Sequence, residues 1–290
     1  MKSKFTGLLL FLLITLSHTL TAQMQWLPEV QNRGKGYFYW GYNRSNYTTS
    51  DVHFYGPDYD FTMYDVTAHD RPSPINKDYV SFKNFSIPQF NARFGYFLTN
   101  RWAISIGEDH MKYLLDRDQD MLVSGVISQE ASEQYAGTYL RTPMQMTEDF
   151  VKFEHTDGLN LFSIDLEHHL PLVRFYEEKI HAEWMMGAGG IFVIPRTDAK
   201  IFGRNSVNEY HLGGYCMNAK SAFSVFWKNK VFVMAQIRAG YMTMRDLVLY
   251  SDNGTFGSHN FGFAEYTLAA GVRFGKGAWK NTRHRTLPYP

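Results

Sequence analysis

Residues 90–106 read FNARFGYFLTNRWAISI, and their alternation decides the fold. Phe90, Ala92, Phe94, Tyr96 and Leu98 share one face, and Asn91, Arg93, Gly95 and Phe97 share the other. Thr99-Asn100 turns the chain. Trp102, Ile104 and Ile106 then face one way, and Ala103, Ser105 and Gly107 the other. A period of two belongs to strands, because successive side chains leave a sheet on opposite faces. In a soluble sheet the apolar face turns inward. In a membrane barrel it meets lipid, and the polar face fills the lumen.

Working outward, the same alternation recurs at 36–48, 86–98, 101–113, 158–170, 180–194, 209–226, 231–243 and 260–274. The connections 99–100, 171–179 and 227–230 are short, whereas 49–85, 114–157, 195–208 and 244–259 are long. Short and long alternate, as periplasmic turns and extracellular loops do in outer-membrane barrels. The expected fold is all-β: a closed, antiparallel, up-and-down transmembrane β-barrel of eight strands over 36–274, with long extracellular loops. Segments 52–68, 121–127 and 149–156 also carry strand-like pieces. They fit strands that run on above the membrane, or a ten-stranded barrel. A third alternative is a secreted soluble β-barrel or sandwich binding protein.

The N-terminus points to export. Lys2 and Lys4 precede an apolar run from Gly7 to Leu16, and Ser17–Gln23 ends in Thr21-Ala22-Gln23. That is the three-part pattern of a cleaved secretory signal, here expected at 1–22. A periplasmic segment, 23–35, would follow. A basic tail at 275–290, with Lys276, Lys280, Arg283 and Arg285, would close the chain. Mean hydropathy is −0.33, and no later stretch approaches the roughly 20 apolar residues of a membrane helix. Aromatic residues make up 17% of the chain, with 19 Tyr and 23 Phe, which suits girdles at two membrane interfaces. The net charge of +1 argues against a nucleic-acid partner. Cys216 is the only cysteine, so no internal disulfide is available.

Arg93, Arg238, Arg273, Lys220, Glu167, Glu183, Glu265, Asp165 and His181 fall on the expected lumen face. Buried charges must pair, so they are expected to pair across the interior. A barrel of this size is filled by side chains, and general diffusion needs about 16 strands. Chemistry, if present, would sit near the outer rim. Glu108-Asp109-His110 and Glu154-His155-Thr156-Asp157-Gly158 end neighbouring strands. An acyl-transfer site would use Ser163 or Thr156 as nucleophile, His155 as base, and Asp109 or Asp157 to orient the ring. The plainer reading makes these rim and loop residues. His168 and His169 are adjacent on a strand, so they point to opposite faces and cannot share a metal. No zinc-type spacing and no phosphate-binding glycine motif occurs, so no metal and no cofactor is expected.

The signal ending Thr-Ala-Gln, the hairpin from Arg93 to Gly107, and the closing Ala269-Ala270-Gly271-Val272-Arg273-Phe274 resemble small Gram-negative outer-membrane β-barrels. Gly41–Arg44, Asp109–Tyr113 and Phe153–Asn160 resemble an uncharacterised family of such barrels. The resemblance implies an outer-membrane location and a structural or surface-interaction role through the long loops. The aromatic segment 52–66 would be the contact surface. The partners it implies are outer-membrane lipid and lipopolysaccharide, with protein or small-ligand contact through loops 49–85 and 114–157. Outer-membrane lipid A deacylases carry His-x-Ser-Asn on a strand. Here His155 is followed by Thr156-Asp157-Gly158, which lacks that serine and differs in spacing; a lipid-modifying enzyme centred on His155 is the alternative to the structural role.

Overall fold

The computed structural model describes residues 30–72, 89–175, 179–206, 209–250 and 254–275. The expected signal at 1–22 and the tail from residue 276 lie outside them. The N-terminal half contributes β1 (Gly36–Tyr47), β2 (Ser50–Tyr55), β3 (Tyr59–Val66), β4 (Ala68–His69), β5 (Asn91–Phe97), β6 (Trp102–Leu115), β7 (Asp120–Ile127) and β8 (Gly137–Gln145). The C-terminal half contributes β9 (Val151–Phe175), β10 (Ile180–Pro195), β11 (Asp198–Ile201), β12 (Arg204–Asn205), β13 (Gly214–Trp227), β14 (Val231–Tyr250) and β15 (Thr255–Phe274).

Eight strands form a ring in the order β1-β5-β6-β9-β10-β13-β14-β15. β15 then pairs back on β1, from Gly36↔Phe274 to Tyr47↔Phe263. The ring is antiparallel throughout and closes on itself, so each of its strands has a paired neighbour on both sides. The ten-stranded alternative is not realised. The hairpin at 50–66 lies outside the ring and continues the sheet above it.

Alternation has the expected direction. Phe94, Tyr96, Ile104 and Leu268 are 44%, 46%, 44% and 72% exposed, while Arg93 and Arg238 are buried. A soluble protein would not leave such a belt open, together with Ile106, Ile164, Phe223, Val233 and Tyr241, while burying arginine. The soluble alternative therefore falls. Two glycines make room inside. A Cβ at Gly95 would collide with the Tyr37 ring, and one at Gly107 would stand 2.9 Å from the Arg93 guanidinium carbon. Large lumen side chains reach across only because their neighbours are small.

The long connections hold more strand than the sequence suggests. β9 begins at Val151 and not near 158, and β14 and β15 run on to Tyr250 and from Thr255 across the expected loop 244–259. The expected strand at 209–226 begins only at Gly214. Above the membrane belt, β2 pairs with the upper part of β15, and the sheet continues through β3 and β7 to β8. β11 pairs with the start of β9. Together these strands form a folded head on the long-loop side of the ring.

Candidate functional site: a sealed lumen and a folded head

The lumen can be read from its short-turn end upward. At the base, Tyr37, Tyr39, Phe97, Met185, Phe226 and Phe232 form an apolar layer. Arg273 reaches both Glu183 carboxylate oxygens, at 3.0 and 2.6 Å. Its guanidinium lies between the rings of Phe97 and Phe226, 4.9 and 4.2 Å from their centroids. These rings cover a charge that the carboxylate neutralises, so the pair blocks the lower mouth.

The middle layer is ionic. Arg93 bonds Asp165 and donates to Ser163 Oγ at 2.7 Å and Ser105 Oγ at 3.0 Å. Lys220 Nζ reaches Asp165 at 2.8 Å and Glu167 at 2.5 Å. Tyr37 donates to Glu167, and Arg238 bonds Asp109. Glu265 lies 3.7 Å from Arg238. All nine charges placed in the lumen by alternation are buried there, His181 included. Interlocked pairs of this kind offset the large desolvation cost that each charge would carry alone.

Higher up, the inward set turns apolar. Met111, Tyr113, Leu159, Leu161, Ile191, Val193, Met242, Phe261 and Phe263 from the ring meet Val52, Phe54, Phe61, Met63, Met121, Val123, Phe150 and Phe153 from the head in one core. The ring and the head therefore share a plug. The expected contact surface at 52–66 is half inverted: Val52, Phe54, Phe61 and Met63 are fully buried, and only the alternate side chains face outward.

The structure does not bring the four candidate catalytic residues together. β6 and β9 are neighbours, as expected, but their register sets Tyr113 opposite His155 and Asp109 opposite Leu161. Ser163 lies eight residues along β9 from His155, about 26 Å at strand rise. Ser163 is bonded to Arg93 and to the Gly107 carbonyl, and Asp109 to Arg238. Thr156 and Asp157 lie on β9, with their side chains outside the described residues.

His155 instead meets residues that the sequence reading missed. Its Nδ1 is 3.1 Å from Thr197 Oγ1, and its Nε2 is 3.3 Å from His259 Nε2. Phe153 meets His155 edge-on, and the Tyr113 ring packs tilted against it. Burial holds His259 down at about 3 and, with His259 and His211 nearby, holds His155 well below the ordinary histidine range. Both rings are therefore neutral near pH 7. His155, His259 and Thr197 are each at most 2% exposed, so this hydroxyl–imidazole pair is closed to substrate and to water. His259 was legible in principle, since it shares the inward parity of Phe261 and Phe263 on β15. Thr197 carried no such signal. His168 and His169 take opposite faces, and among the described residues no cluster of three or more His, Cys, Asp or Glu side chains is placed to hold a metal.

A ring of eight antiparallel strands, apolar outside and charged inside, is a membrane-spanning barrel of the outer-membrane type. No protein-family model and no curated protein matches the chain. Similar solved structures include the attachment invasion locus protein Ail of Yersinia pestis, at 12% identity and a TM-score of 0.31, covering 83% of this chain and 99% of that one. The outer membrane protein OprG of Pseudomonas aeruginosa is 9% identical, with a TM-score of 0.34, covering 85% and 100%. Neisserial surface protein A is 10% identical, with a TM-score of 0.32, covering 82% and 97%.

Proposed function

We propose that this chain is an exported outer-membrane protein whose barrel is a non-conducting anchor for a folded extracellular head, and that the head makes the functional contacts. The observation that carries this reading is the triple closure of the lumen: the Arg273–Glu183 block, the Arg93–Asp165–Lys220–Glu167 network and the apolar plug above. Such an interior supports neither diffusion nor a reaction open to substrate. The contact surface in this reading is the outward side of β3, β7 and β8. Val126 and Leu140 are 52% and 87% exposed there, and the Arg141 guanidinium lies 4.5 Å from the Tyr64 ring centroid. Outer-leaflet lipopolysaccharide and a protein or small ligand are the partners in reach, through 49–66 and 120–145. The expected signal at 1–22 supplies the export step.

The test is a pair of measurements on the mature chain. Reconstituted in planar bilayers, it should show no single-channel conductance, and in cells an epitope inserted between β7 and β8 should be labelled from outside. Steady pores, or an epitope reached only after the outer membrane is opened, would contradict the reading.

A further inference from the structure

The outer wall of the barrel holds an apolar groove of about 430 Å³ between β13, β14 and β15, lined by Phe223, Val225, Val233, Ala235 and Leu268. Its form follows from register. Ala235 sits between Phe223 on one side and Leu268 on the other. A small side chain flanked by two large ones leaves a trough in the lipid-facing surface. The groove lies toward the short-turn end, since Val225 and Val233 face each other two residues above Trp227 and Val231, where the hairpin closes.

That hairpin supplies charge. Lys228 and Asn229 both take positive φ, at 52°, the geometry of a tight two-residue turn. The turn leaves Lys228 and Lys230 exposed at the rim. Asn229 is engaged by Arg273, which donates to its Oδ1 at 2.7 Å, so the turn is braced against the lumen base. Among the described residues no carboxylate pairs with either lysine. Val233 stands three residues from Lys230, roughly 10 Å along the strand, the span between the upper acyl carbons and the phosphate of a membrane lipid.

We propose that this face is a binding site for an anionic phospholipid of the periplasmic leaflet. One acyl chain lies in the groove over Ala235, and the phosphate meets Lys228 and Lys230. Charge complementarity selects the occupant. A zwitterionic lipid fills the groove equally but gains little at the rim, and a second copy of this chain would set lysines against lysines. The inference rests on the membrane placement of the belt but not on the head's partners.

Native mass spectrometry of the folded chain, released from micelles with equal phosphatidylglycerol and phosphatidylethanolamine, tests it. Phosphatidylglycerol adducts should exceed phosphatidylethanolamine adducts at least fivefold, and added salt should erode that ratio. The Lys228→Gln/Lys230→Gln variant should lose the preference, and Lys228→Arg/Lys230→Arg should keep it. Ala235→Phe, which fills the groove, should reduce both adducts. Equal retention of the two lipids by the unaltered chain, a preference unmoved by salt, or a lipid-free dimer as the main species would each overturn the proposal. The salt series needs no variant, so a misfolded mutant leaves it decisive. Pores in the bilayer test above would sink the proposed function and leave this site standing.

Discussion

The lower and upper halves of the barrel wall use one alternation to opposite chemical ends. On β15, Leu268 and Tyr266 face out while Thr267, Glu265 and Arg273 face in. Further along the same strand, Phe261 and His259 face in and Asn260 faces out. The backbone period never changes; the surroundings do. Below, lipid solvates the outside, so apolar side chains belong there and the interior must neutralise its own charges. Above, water solvates the outside, and the interior becomes an ordinary apolar core. Inward and outward are fixed by geometry, while polar and apolar are fixed by the solvent at each height.

The largest effect should come from unbalancing the lower interior. Asp165→Ala leaves Arg93 and Lys220 without their shared carboxylate, and breaking a buried pair costs about 3–5 kcal/mol. Denaturant unfolding in liposomes should register a loss near the top of that range, with the head's own proteolytic resistance falling only as the whole barrel unfolds. In the upper interior, Phe61→Ala should cost about 3–4 kcal/mol, as large-to-small changes in packed cores do. There the loss should show as protease cleavage of the head while the unheated sample keeps its barrel mobility on a gel. Equal loss of barrel and head in both variants would erase the distinction between the halves.

Outward positions sharpen it further. Leu268→Arg should cost about 2–4 kcal/mol if it lies near the bilayer midplane. Leu140→Arg on the head should stay within about 0.5 kcal/mol, as surface changes do. Similar small costs at both sites, read from unfolding in the same liposomes, would mean that the belt does not face lipid.

A last effect separates the halves by pH. His155 and His259 are neutral in the folded head and titrate near pH 6.5 when it unfolds. Above about pH 6.5 neither state is protonated, and the pair costs nothing. Below it the unfolded form takes up protons that the folded form refuses. Each histidine then withdraws about 1.4 kcal/mol per pH unit until its folded-state value is reached. Hydrogen exchange should show the head loosening between pH 7 and pH 5, and His155→Gln/His259→Gln should flatten that slope. A head equally protected at both pH values would contradict the burial of the pair.

The barrel was legible because its signal is repetitive. Each strand of 36–274 carries a weak alternation, and the sequence order of long and short connections adds to it. The nine lumen charges followed from parity alone. The head was less legible, because its strands are short and its inward set is apolar, so 52–66 resembled an exposed aromatic surface. In fact Phe54 and Phe61 pack against Phe153 and Phe150, 5.5 Å between centroids in each case. The surroundings of His155 were hard to read for a related reason. His155 and Asp109 lie on neighbouring strands, but register decides contact, and the bulge between Met111 and Tyr113 is invisible in a single sequence. His259, the actual neighbour, is 104 residues away in the chain.

The most direct test of the inverted wall is a nitroxide scan of outward positions on β15, one cysteine at a time in a Cys216→Ala background, with the protein in liposomes. Labels at Leu268 and Ala270 should be accessible to oxygen and shielded from a water-soluble nickel complex, and labels at Ser258 and Asn260 should show the reverse. Labels at 268 and 270 that meet nickel freely, or that are packed away from both probes, would contradict it.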